Sequence, residues 1–86
     1  MIFTVVWKPT ATDELAEIWL NAQDRAAVTA SANQIDRSLR SDPATVGESR
    51  SGNRRIVFVP PLGVDFEVHE LDRRVDVLRV WAWPRD

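Results

Sequence analysis

The 86-residue chain has no cysteine and no tyrosine, one histidine, and one lysine among eleven cationic side chains. Without cysteine, neither a disulfide nor a thiolate metal site can form, which fits a reducing compartment. No apolar run approaches the ~20 residues needed to span a bilayer. The opening stretch, Met1 to Trp7, lacks the basic lead and long apolar centre of a secretory signal. The expected location is the cytoplasm. No repeat, low-complexity segment or linker interrupts residues 1–86, so a single domain is expected over that range, with one core and modest stability.

Charge of one sign is also scarce. The formal net charge is −2, which argues against a strong nucleic-acid binder. The distribution is uneven: residues 1–49 carry four cations and seven carboxylates, whereas residues 50–86 carry seven arginines and six carboxylates. Arg50, Arg54 and Arg55 cluster in the second part. Their planar guanidinium forks suit phosphate or carboxylate, although solvated surface arginine is the alternative reading.

Apolar spacing supplies the element order. Ile2 to Trp7 is β-branched and aromatic and is stopped by Pro9, which predicts a strand. Thr10 is placed to cap a helix carrying Ala11, Leu15, Ile18, Trp19 and Ala22 at helical spacing. Asp24 is a second N-cap candidate, and Val28, Ala32, Ile35 and Leu39 continue a second helix to about Arg40, ended by Asp42-Pro43. A loop of Pro, Gly, Ser and Glu follows to Asn53. Three strands are then predicted over Arg54–Val59, Val64–Leu71 and Arg74–Trp81. The result is an α+β order, β-α-α-β-β-β, with a helical hairpin on one face of a small, mainly antiparallel sheet.

The other face is left open, and strand parity says which side chains share it. Val64, Phe66 and Val68 face the helices, so Asp65, Glu67 and His69 face outward. A two-residue turn at Asp72-Arg73 sets Val68 against Val77 and His69 against Asp76. A four-residue turn at Pro60–Gly63 sets Arg54 against His69. Arg54, His69 and Asp76 then form a candidate acid–base group, with Glu67 beside them and Arg55 on the opposite face. Histidine near a carboxylate is suited to proton transfer; a cross-strand charge pair that keeps the sheet face wetted is the alternative. Trp7 and Trp19 fall in core patterns. Trp81 and Trp83 share the parity of Val75 and Val77 and are expected to face the helices. If exposed instead, they would suggest a partner surface.

The chain resembles the RelE/ParE superfamily of bacterial toxins over nearly its whole length. The resemblance is carried by the strand into Pro9, Leu15–Leu20, Asp24-Arg25, Ile35–Leu39, Asp42-Pro43, Gly47–Arg50, Asn53–Ile56, Leu62–Val68, Asp72-Arg73 and Val75–Val80, in that order and spacing. It implies a type II toxin that a cognate antitoxin neutralises in a hetero-oligomer. RelE-like members cut mRNA on the ribosome without a metal, using basic and aromatic side chains; ParE-like members inhibit DNA gyrase and lack those residues. Such nucleases are strongly basic, whereas this chain has one lysine and no tyrosine, and Gly63 stands where many relatives carry arginine. The expectation is therefore a ParE-like toxin, with a RelE-like ribonuclease and a non-toxic interaction module as alternatives. Arg50, Arg54, Arg55, Glu67 and Arg85 are the candidates for binding substrate or antitoxin. No cofactor or metal is expected.

Overall fold

The structure, a computed structural model, describes residues 2–84. Its elements are β1 (Thr4–Trp7), α1 (Pro9–Asn21), α2 (Arg25–Ser41), a 3-10 turn (Pro43–Thr45), β2 (Glu48–Ser49), β3 (Arg54–Val59), β4 (Leu62–His69) and β5 (Arg74–Ala82). The expected order is present, extended by the 3-10 turn and the two-residue strand β2. The sheet runs β1-β5-β4-β3-β2. The β3-β4-β5 meander is antiparallel, while β1 lies parallel to β5.

Local chemistry explains where the helices begin. Lys8, not Thr10, occupies the cap position of α1, and it makes no side-chain capping bond. Pro9 is the first helical residue because its fixed φ suits a position whose N–H would go unused. The Thr12 hydroxyl closes this corner by donating to Trp7 O at 3.3 Å. Asp24 caps α2 as expected, accepting from Ala27 N at 3.0 Å. At the far end Asp42-Pro43 stops α2, since the residue before proline is pushed out of helical geometry.

The core lies between the helices and one sheet face. Val28, Ile35 and Leu39 of α2 pack with Leu62, Val64, Phe66, Val68, Val75, Val77 and Val80. Ser31, buried among them, donates to Val59 O at 2.5 Å and ties α2 to the end of β3. Trp7 is half-buried against this core, and its ring N–H reaches Asp36 Oδ1 at 3.1 Å. Trp19 departs from expectation. It is 39% exposed, with the Arg25 guanidinium 4.6 Å from its ring centroid, because only part of α1's apolar stripe meets the sheet.

Both hairpins differ in register from the expectation. The β3–β4 turn is Pro60-Pro61, with Val59 opposite Leu62, so Arg54 opposes Glu67 and not His69. The β4–β5 connection is the four residues Glu70 to Arg73, with Arg73 in the left-handed region at φ 50°. Val68 therefore opposes Val75, His69 opposes Arg74, and Asp76 opposes Glu67. Each shift is two residues, so every side chain keeps its face.

A third difference does reverse a face. Phe66 pairs with Val77 but Asp65 pairs with Arg79, leaving Leu78 as an extra residue in β5. A bulge of this kind inverts the alternation beyond it. Val80 consequently joins the core, and Trp81 crosses to the open face opposite Gly63.

Candidate functional site

The open face of the sheet is built by Arg54, Ile56 and Phe58 of β3, by Gly63, Asp65, Glu67 and His69 of β4, and by Arg74, Asp76, Arg79 and Trp81 of β5. Its lower part is a charge network. His69 Nε2 lies 3.1 Å from Glu67 Oε1 and 3.2 Å from Asp76 Oδ2. The same nitrogen is enclosed and makes no well-aligned hydrogen bond. Arg74 donates from Nε to Asp76 Oδ1 at 3.0 Å, with Nη2 a longer 3.5 Å from Oδ2. Lys8 Nζ stands 3.8 Å from Asp76 Oδ2. Asp76 is buried and so sits at the centre of three cationic or protonatable groups.

The predicted trio is brought together only in part. His69 and Asp76 meet, diagonally across β4 and β5. Arg54 instead pairs with Asp65, through both its Nε and Nη2. Asp65 is 5% exposed, and its hydrogen bonds and charge raise the arginine above its ordinary range. Sequence reasoning placed Asp65 on this face but gave it no partner, because a two-residue shift of register decides which arginine it meets.

The remaining candidates fall elsewhere. Arg55 lies on the helix-covered side of β3 and donates to Val46 O at 2.9 Å and Gly47 O at 3.0 Å, so it anchors the loop before β2. Gly47, at φ 68°, belongs to that same loop; a side chain there would collide with the Ile56 carbonyl. Arg50 is exposed, 3.7 Å from Glu48. Arg85 lies outside the described residues.

Beyond the bulge the face becomes apolar. Phe58 meets Trp81 edge-on, with centroids 6.1 Å apart, and Trp83 in a tilted contact at 4.7 Å. Gly63 is what lets Trp81 lie flat: a Cβ on Gly63 would come within 2.5 Å of the indole nitrogen. The sequence placed Trp81 and Trp83 on the helix-covered face, with a partner surface as the alternative, and missed their contact with Phe58, since no local pattern marks Leu78 as the residue that breaks alternation.

One further ion pair guards the edge. Strand β1 ends opposite Val77, and no described strand flanks that edge of β5 after it. Glu14 of α1 fills that gap, accepting from Val80 N at 3.0 Å and from Arg79 Nε and Nη2 at 3.0 and 2.8 Å. The Arg79 guanidinium, helped by the Val80 N–H, holds the Glu14 carboxyl below its ordinary range against the opposing effect of burial.

No protein-family model and no curated protein sequence matches this chain. Solved structures do. The RelBE2 toxin–antitoxin complex of Mycobacterium tuberculosis aligns over 99% of this chain and 95% of that one, with a TM-score of 0.78 and 17% identity. The isolated RelE toxin of E. coli aligns over 98% and 87%, with a TM-score of 0.70 and 13% identity. The chromosomal ParDE system of P. aeruginosa aligns over 94% and 96%, with a TM-score of 0.64 and 14% identity. The chain therefore has the RelE/ParE fold. No helix among the described residues is long and apolar enough to cross a membrane.

Proposed function

We propose that this chain is the toxin of a type II toxin–antitoxin pair and that it acts in the ParE manner, by binding a protein target such as DNA gyrase. The fold is one that toxins of both RelE and ParE systems use. The observation that carries the choice between them is the pairing of charge on the open face. Arg54 is engaged by Asp65, Arg74 by Asp76, and Arg79 by Glu14. A surface whose cations are already matched by carboxylates releases few counterions from a phosphate backbone. Beside it stands an aromatic group of Phe58, Trp81 and Trp83, the side-chain type that dominates protein–protein hot spots.

The test is expression of the chain with and without its neighbouring gene. Growth arrest with SOS induction, intact transcripts and loss of gyrase supercoiling is the expected result. It should persist in the Arg54→Ala/His69→Ala double variant and disappear in Trp81→Ala. Cleavage of translated messages within codons would overturn this assignment, and normal growth on expression alone would identify a non-toxic interaction module.

A second reading is favoured by the meeting of His69 with Asp76 on the open face, 3.2 Å apart. In a ribosome-dependent ribonuclease, Arg50 and Arg54 would hold phosphate, His69 would move the proton with Asp76 orienting it, and the aromatic group would stack on bases. The double variant would then be inactive. Under either reading the partner is a cognate antitoxin, whose acidic segment would meet Arg50 and the rim of the open face. Co-purification of the two gene products checks this.

A further inference from the structure

We propose that Glu67, His69 and Asp76 form a binding site for a divalent transition metal of the zinc class. They are the three-ligand cluster among the described residues, with all ligand atoms within 4.8 Å of one another. The sheet itself sets their positions. Glu67 and His69 are two apart on β4 and so share a face, and Asp76 is the register partner of Glu67 on β5. Three side chains fixed on two hydrogen-bonded strands need little reorganisation to converge on an ion.

Two of the donor separations match a coordination polyhedron, and the third is within 4.8 Å. Zinc bonds of about 2.0–2.1 Å at tetrahedral angles place neighbouring donor atoms about 3.3 Å apart. His69 Nε2 is 3.1 Å from Glu67 Oε1 and 3.2 Å from Asp76 Oδ2. The nitrogen is sealed from solvent, yet it is aligned for a hydrogen bond to neither carboxylate. An ion held by both oxygens would give this nitrogen the partner it lacks. Two carboxylates and a neutral imidazole balance a divalent charge, and three protein ligands leave a fourth position open.

The surroundings both support and oppose the ion. Arg74 holds Asp76 chiefly by Oδ1, at 3.0 Å from Nε, which orients Oδ2 toward His69, as outer partners of metal ligands commonly do. Lys8 Nζ, 3.8 Å from Oδ2, repels a metal, but its long stem is 45% exposed and can turn to solvent.

The composition makes the test unusually clean. His69 is the chain's single histidine, and there is no cysteine to bind metal elsewhere. The untagged protein, labelled with 15N at histidine, is titrated with zinc chloride and followed by NMR and by competition with a chromophoric chelator. Saturable binding of one ion per chain, with the Nε2 resonance shifted, is expected. His69→Gln and Glu67→Gln should each weaken binding about tenfold or more, while Lys8→Gln should tighten it. The half-exposed Glu67 keeps the test valid if the buried positions do not tolerate change. Affinity should follow Mn2+ < Co2+ < Cu2+, with Zn2+ below Cu2+. An unmoved His69 resonance, or an affinity in the Glu67→Gln and His69→Gln proteins equal to that of the natural chain, would overturn the site.

Discussion

Placing a methyl group at Gly63 should destabilise the protein, yet stabilise it once Trp81 has been removed. The added Cβ would lie 2.5, 2.6 and 2.9 Å from three atoms of the Trp81 ring, against an optimal carbon separation of 3.5–4.0 Å. The indole is rigid, so it must swing off the sheet and strain or lose its contact with Phe58. Overpacking of this kind costs about 1–3 kcal/mol. Against it stands a gain of about 0.5–1 kcal/mol, because alanine surrenders less backbone freedom than glycine on entering a strand. Gly63→Ala should therefore lose roughly 0.5–2 kcal/mol in the natural chain and gain about 0.5 kcal/mol or more in the Trp81→Ala background. The coupling, about 1–3 kcal/mol, is of the size found for residues in direct contact. Urea unfolding followed by far-ultraviolet circular dichroism reads it. With a slope near 1 kcal/mol per molar for a chain this small, the two midpoint shifts should be opposite in sign and resolvable. Equal losses in both backgrounds would mean that Trp81 does not cover Gly63, and the bulge at Leu78 would then be misplaced.

Other perturbations probe separate links. Asp24→Ala removes the side-chain cap of α2 and should cost about 1 kcal/mol, read as a lower urea midpoint with an unchanged slope. Ser31→Ala breaks the buried bond to Val59 O and should cost about 1 kcal/mol; a neutral result would mean that the hydroxyl does not tie α2 to β3. The Glu14 carboxyl, whose ordinary value is 4.5, is depressed in the folded state. Such a group contributes stability above its unfolded pKa and loses it as pH falls through the folded value. The natural chain should therefore lose more stability than Glu14→Gln as pH drops below about 4.5, and parallel pH profiles would contradict this.

Much of the fold was legible because its signals are local. Pro9, Asp24 and Asp42-Pro43 act on their immediate neighbours, and the helices start or stop beside them. Strand β3 spans the six residues that alternation predicts, Arg54 to Val59. Alternation also placed His69, Glu67, Asp76 and Arg54 on one face and Arg55 on the other, as they are found. What it misplaced were partners. Nothing near Pro60-Pro61 says whether the turn takes two residues or four, and nothing near Leu71 says that it will lie fully exposed in a longer turn.

By itself, then, the sequence determined the order of elements, the buried set from Val64 to Val77 and the side of the sheet on which each charged strand residue before the bulge at Leu78 stands. These follow from periodicity, which survives any two-residue shift. Only the tertiary structure decided that Arg54 meets Asp65, that His69 rests between Glu67 and Asp76, and that Trp81 lies over Gly63. Register and bulges are set by hydrogen bonding and packing between strands distant in sequence, and a single extra residue at Leu78 turns an expected core pair of tryptophans into part of the open face.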